Sequence, residues 1–127
     1  MANLIIKESK EDKYNRTIIE RKQCNILVLK QSNKKDKPKN LDTGVNHVLA
    51  KLASKNKISF AIDLEEIRNL DKIEKSKVLA RIREILKTCK KSKTKIILLN
   101  SKDNKNAQSL LLSLGASTHQ SSQALDF

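Results

Sequence analysis

Residues 42–63 read DTGVNHVLAKLASKNKISFAID and decide the fold class of this 127-residue chain. Five apolar residues recur at helical spacing and predict the buried stripe of an amphipathic helix: Val45, Val48, Leu49, Leu52 and Ala53. After a basic turn, three apolar residues alternate as in a strand: Ile58, Phe60 and Ile62. The segment is therefore predicted to be a helix, a turn and a buried strand in one run.

Strand and helix patterns alternate along the rest of the chain. Apolar runs predict strands over Asn3–Lys7, Asn25–Lys30 and Lys95–Leu99. Helical periodicity predicts Lys10–Lys22, a short turn over Leu64–Leu70, Asp71–Ser92 with Asp71 as its cap, and Ala107–Leu114 ended by Gly115. A polar loop spans 31–40, and the Ser-rich residues 116–127 give a weaker pattern.

Continuously apolar strands that alternate with helices predict a parallel sheet buried on both faces, which makes this an α/β protein. The chain supplies about four βα units, whereas a closed eight-stranded barrel takes roughly 200 to 250 residues. A complete barrel is therefore excluded. Because no linker separates two cores, residues 1–127 are expected to form a single domain.

The net charge points to a polyanionic partner. Lys and Arg number 27 against 14 acids, giving a net charge of +13 and a sequence pI near 9.9. Nucleic acid is the first partner that such a charge predicts, with a merely solvated basic surface as the alternative. Five lysines concentrate in each of two stretches, 30–39 and 87–95. The scarcity of aromatic residues argues against base stacking and favours contacts to the RNA backbone.

The cysteines and the lengths of the apolar runs indicate the kind of protein and its location. Cys24 and Cys89 fall on apolar sides of their elements and are interpreted as small core residues. With no leader pattern and no apolar run of about 18 residues, we expect a soluble protein with no membrane role, cytoplasmic or, in a eukaryote, nuclear or nucleolar. Neither a cofactor nor a metal site is expected.

Several motifs, in order and at matching spacing, resemble one family. They are Asn15-Arg16 with Glu20 before the strand at 24–30, Asn33-Lys34-Lys35-Asp36, His47-Val-Leu-Ala-Lys-Leu-Ala53, the helix Glu74–Lys91, and Asn100-Ser101 after the last matched strand. The chain resembles the ribonuclease P protein component 3 family, the archaeal relative of the eukaryotic p-thirty TIM-barrel subunit. It departs from that family by five extra residues, Lys37–Leu41, and by Asn104–Ala107 in place of a more basic segment.

The resemblance runs from near Asn3 to about Gly115 and lacks the family's first βα units. It implies a partial TIM barrel, or half-barrel, whose open strand edges are covered by a homodimer or by the chain's own helices. It also implies a non-catalytic subunit of a ribonucleoprotein whose RNA removes 5′ leaders from precursor tRNA. The implied partners are ribonuclease P RNA, precursor tRNA and a Pop-five-like subunit of ferredoxin fold.

Nine residues are the candidates for RNA contact: Arg16, Lys34, Lys35, His47, Lys51, Lys75, Arg81, Lys102 and Lys105. Arg16, Lys34 and Lys35 flank strands, where ligands of α/β folds collect. Lys75 and Arg81 are predicted on the polar face of the long helix. For His47, a phosphate contact and a surface histidine bonded to a backbone carbonyl both stay open.

Two other functions compete with the RNA-binding subunit. One is a small α/β RNA-binding protein of ribosomal or kink-turn type, or a protein-interaction domain. The other is a metal-dependent hydrolase that uses Asp63, Glu65 and Glu66 at a strand end. Asp63 is, however, also well placed as the N-cap of the helical turn that it precedes, and this structural role is preferred.

Overall fold

The computed structural model describes residues 4–31 and 44–124. The strands are β1 (Ile6–Glu8), β2 (Ile26–Val28), β3 (Ser59–Asp63) and β4 (Ile96–Leu99). The helices are α1 (Asp12–Glu20), α2 (His47–Lys55), α3 (Glu65–Arg68), α4 (Lys72–Ser92), α5 (Asn104–Ser113) and α6 (Thr118–Gln123). The predicted alternation is confirmed, and α6 adds a helix in the segment whose pattern was weakest.

The four strands form one parallel sheet in the order β1-β2-β3-β4. Each strand therefore lies beside the strand that precedes it in sequence, as in successive βα units of a barrel, without the reversal of strand order that marks a doubly wound sheet. Register pairs such as Leu27 with Phe60 and Phe60 with Ile96 place apolar side chains side by side. The prediction of a parallel α/β fold of partial TIM-barrel type is confirmed.

Both faces of the sheet bury apolar side chains, which explains why the strands are continuously apolar. One face, with Leu27, Phe60 and Ile96 near its centre, packs against the helices in the main core. On the opposite face, the buried residues Ile26, Val28, Ala61 and Ile97 form a second cluster with Leu99 beside it.

The two edges of the sheet differ. Next to β1, Leu4 and Ile5 are 59% and 48% exposed, and Ile6 within the strand is 50% exposed. At β4, the Leu98 amide donates a hydrogen bond of 2.8 Å to the Ala124 carbonyl. A segment after α6 thus meets the β4 edge, while β1 presents large apolar side chains to solvent.

Helix ends follow the sequence signals. The Asp71 carboxylate accepts a 2.8 Å hydrogen bond from the Glu74 amide, which confirms the predicted cap of α4. Gly115, which follows α5, has φ of +99°, a left-handed conformation that glycine adopts without steric cost. Among the described residues, no helix is long and apolar enough to cross a lipid bilayer.

The two cysteines are buried thiols, as predicted. Burial raises the pKa of Cys24, and the nearby Lys7 charge opposes the shift. Burial raises the pKa of Cys89 to about 12. Because thiol reactivity requires the thiolate, Cys89 behaves as a small apolar core residue.

Candidate nucleic-acid interface

The carboxyl ends of the strands meet at one edge of the sheet, where the polar side chains are tied together. Oδ1 of Asp63 accepts a 3.0 Å hydrogen bond from the Glu65 amide and a 2.8 Å bond from Nδ2 of Asn100. The N-cap residue of α3 is Leu64, without a side-chain cap bond, so the prediction that Asp63 is the cap is wrong by one position. Asp63 still has a structural role, because its bond to the Glu65 amide fixes the turn that leads into α3. The second bond joins the ends of β3 and β4.

Glu66 is also part of this structural network. Its Oε1 accepts a 2.8 Å hydrogen bond from the Gln31 amide, just after β2, and its Oε2 lies 3.8 Å from Nζ of Lys30. Glu66 therefore ties α3 to the end of β2. Within residues 4–31 and 44–124, no group of three or more His, Cys, Asp or Glu side chains is placed to hold a metal ion.

Arg81 corrects the sequence prediction. Instead of facing solvent on the polar side of α4, its side chain is 3% exposed, and its Nη1 donates a 3.2 Å hydrogen bond to the Gln31 carbonyl. Position 81 lies one turn after Val78 and one turn before Ile85, so it shares their buried stripe. The guanidinium therefore joins α4 to the end of β2 and is withdrawn from surface contact.

Three candidates lie on α1 and α2. His47 and Lys51 are exposed one turn apart on α2, directly after Asn46, whose side chain caps that helix. Arg16 lies on α1 with its side chain 63% exposed, and its Nε donates a 2.7 Å bond to Glu20. Arg16 and Asn46 both line a hollow of about 410 Å³ between the two helices. Lys13 and Asp12 line the same hollow, so it has two cations and one acid at its rim, and Arg16 is also paired with Glu20.

Lys75 and Lys102 line a second hollow, of about 360 Å³, near the carboxyl ends of β3 and β4. Its apolar lining comes mainly from Leu64, Ile67, Leu79, Ala107 and Leu110. Lys105 is exposed in the first turn of α5, close in sequence to this rim. The structure therefore brings two of the predicted cations together around one apolar cleft.

Arg68 belongs to the same rim and was missed by the sequence reasoning. Its guanidinium donates to the carbonyl of Asn100, which has left-handed φ of +59°. The available signal was a basic residue ending a short helix directly after a buried strand. Lys34 and Lys35 lie outside the described residues, so their placement stays a prediction.

No family model matches the chain. The curated proteins that resemble it in sequence all have the same name. Ribonuclease P protein component 3 of Methanocaldococcus jannaschii is 28% identical over 104 residues, covering 82% of this chain and 42% of that protein. Proteins of the same name from Methanococcus maripaludis strains C7 and C5 are each 26% identical over 97 residues, covering 76% of this chain and 39% of theirs. The chain spans about two fifths of the length of these curated relatives.

The fold has a counterpart in a cryo-EM structure of archaeal ribonuclease P with mature tRNA. One chain there matches with a TM-score of 0.73 and 24% sequence identity, covering 92% of this chain and 51% of that chain. The arrangement of parallel strands and helices described above is therefore shared with about half of that neighbour.

Proposed function

We propose that this chain, a relative of the ribonuclease P protein component 3 family, is a non-catalytic RNA-binding subunit of ribonuclease P. In this role it supports the catalytic RNA while 5′ leaders are removed from precursor tRNA. The observation that carries the proposal is the sequence kinship, which extends over 82% of the chain. The charge and the geometry of the strand ends support the same role.

RNA binding rests on phosphate contacts. A net charge of +13 favours association with a polyanion. The exposed candidates on α1, α2 and α5, together with the half-buried Lys75 on α4, offer cations for phosphate contacts. Each phosphate neutralised by Lys or Arg releases a condensed counterion, so affinity falls steeply with salt. Such contacts position folded RNA and leave sequence recognition to the RNA itself.

The absence of a catalytic role is supported by what the acids do. Asp63 accepts hydrogen bonds from the Glu65 amide and from Asn100, and Glu66 accepts from the Gln31 amide. Carboxylates engaged in this way hold strand ends together. In the proposed assembly, the RNA therefore supplies the chemistry and this chain supplies counter-charge.

We further infer that a protein partner joins the sheet at β1. Leu4, Ile5 and Ile6 expose about half of their side-chain surface there. A row of exposed apolar residues at a strand edge favours association with another chain. A Pop-five-like subunit is the partner that the family relationship favours, and a second copy of this chain is the alternative.

The test is binding and cleavage in vitro. The purified chain, titrated into a transcribed archaeal ribonuclease P RNA, is expected to lose about a hundredfold in affinity between 50 and 200 mM salt if it neutralises about four phosphates. Added to that RNA, it is expected to raise the rate of precursor tRNA cleavage, with no cleavage by the protein alone.

A kink-turn RNA from the ribosome is the matched control. Tighter binding to this control, with no effect on cleavage, would favour the ribosomal-type alternative. An affinity for ribonuclease P RNA that does not change with salt would contradict the proposal.

A further inference from the structure

Four helices end in the same backbone motif. An amide two or three residues beyond the helix end donates to the carbonyl five residues before it, in the last turn of the helix. The N···O distances are 2.8 to 3.0 Å for the four pairs Gln23 to Ile18, Ile58 to Ala53, Thr94 to Cys89 and Ala116 to Leu111. This pairing defines the Schellman motif, in which the residue just before the donor has a left-handed backbone and is usually glycine.

Glycine fills that left-handed position only once. Gly115 has φ of +99°, whereas Lys22, Lys57 and Lys93 have φ of +52°, +58° and +59°. A side chain with a Cβ atom pays a steric cost in this region that glycine avoids. Three lysines thus occupy positions where the fold alone would favour another residue, and an unfavourable conformation that persists points to a role outside folding.

The three lysines lie at one end of the molecule. Lys22, Lys57 and Lys93 lie in the turns that lead into β2, β3 and β4, which are neighbours in the sheet. Hydrogen bonds join these turns: Nδ2 of Asn56 donates to the Ile19 carbonyl at 2.9 Å, and Oγ of Ser54 donates to the Lys93 carbonyl at 3.5 Å. The backbone therefore holds the lysines in a fixed row at the amino-terminal ends of the strands.

The surroundings of this row are basic. The three turns, 21–25, 54–58 and 90–95, contain no acidic residue and carry further cations: Arg21, Lys55, Lys90, Lys91 and Lys95. Lys22, Lys57 and Lys93 are all exposed. A row of exposed cations on a rigid frame favours a negatively charged partner, and a phosphate backbone is such a partner.

We propose that Lys22, Lys57 and Lys93 form a second RNA-binding surface, the left-handed lysine row, which contacts the phosphate backbone of folded RNA at the end of the sheet opposite the candidate interface. This inference rests on the proposed function and adds a second surface to it. A protein that binds RNA at both ends of its sheet connects two segments of that RNA.

Replacement of the three lysines by glycine tests the proposal, because it removes charge while relieving the backbone. For Lys22→Gly/Lys57→Gly/Lys93→Gly, we expect an unchanged or higher thermal midpoint. We also expect affinity for transcribed ribonuclease P RNA to fall at least about tenfold at low salt, and the slope of log affinity against log salt to shrink by about two to three.

Two matched variants separate the effect of charge from the effect of the backbone conformation. Replacement of the three lysines by arginine preserves charge at the same backbone positions and is expected to retain affinity and slope. The reciprocal change Gly115→Lys has open space for its Cβ and adds a fourth cation, so it is expected to raise affinity while lowering the thermal midpoint.

Two outcomes overturn the lysine row. One is a triple glycine variant with unchanged affinity and slope. The other is a lower thermal midpoint with unchanged affinity of the folded protein, which would identify the lysines as helix caps acting on the helix dipole. In either case, salt-sensitive RNA binding by the unaltered chain would leave the proposed function standing. A failure of the unaltered chain to bind this RNA would instead contradict the proposed function itself.

Discussion

The two ends of the sheet use charge in different ways. At the carboxyl end, Asp63, Glu66 and Arg81 hold the ends of β2, β3 and β4 together through hydrogen bonds to amides and carbonyls. At the amino end, Lys22 and Lys57 occupy left-handed positions that glycine would fill at lower cost. At the carboxyl end, charged side chains stabilise the fold. At the amino end, lysines occupy backbone positions where glycine would make the fold more stable. Functional cations are therefore easier to distinguish from structural ones at the amino end.

The largest expected effect is a loss of stability when a buried side chain at the carboxyl end is removed. Arg81→Ala removes a buried donor and leaves the Gln31 carbonyl without that partner, so the free energy of unfolding should fall by about 3 kcal/mol in urea titration. Arg83→Ala, two positions along the same helix but exposed, is the control and should change stability by no more than about 0.5 kcal/mol. Equal effects of the two substitutions would show that the buried arginine does not hold this end together.

A smaller effect probes the core beneath the amino end. Burial raises the pKa of Cys89 from its ordinary value of 9.0 to about 12 in the folded protein, so the unfolded chain releases this proton first as pH rises. Stability from this group is complete below about pH 9 and is lost between about pH 9 and 12, at up to about 1.4 kcal/mol per pH unit. Urea titrations at pH 8 and pH 10 should show a smaller alkaline loss for Cys89→Ala than for the unaltered chain. Parallel losses would indicate that this thiol ionises freely in the native state.

The smallest expected effect concerns Arg16 and Glu20. Their ion pair is exposed on both sides, so Glu20→Gln should lower the free energy of unfolding by less than about 0.5 kcal/mol. Because the substitution frees the Arg16 guanidinium, RNA affinity should rise slightly at low salt. Glu11→Gln, on an exposed residue just before α1, removes the same charge without touching this pair. An equal rise in affinity for both variants would mean that net charge, and not Arg16, is responsible.

The fold was predictable because its signals are local. Alternating helix and strand periods fixed the βα units, and Asp71 and Gly115 marked helix ends through neighbours a few residues away. Arg81 was misplaced because its charge was given more weight than its helical spacing from Val78 and Ile85. Its partner Gln31 lies 50 positions away, so no local pattern pointed to a buried hydrogen bond for the guanidinium. The rim formed by Arg68, Lys75 and Lys102 likewise depends on how α3, α4 and α5 pack.

The left-handed lysines left a sequence signal that was not used. Each follows an apolar-periodic helix and lies two to four residues before the next strand, at the position where glycine usually ends a helix. The chain has 27 basic residues but only two glycines, so lysine at these turns looked like ordinary surface composition. Only the backbone angles separate Lys57 from a lysine such as Lys55 on the helix before it.

The hydrogen bond from the Leu98 amide to the Ala124 carbonyl makes the two edges of the sheet differ in how readily a further strand can be added. An incoming strand can extend the ladder beside β1 by simple addition, whereas beside β4 it has to exchange with a carbonyl already bound there. Enlargement of this sheet should therefore proceed in one direction, with the Leu98 amide protected from hydrogen exchange before any partner arrives.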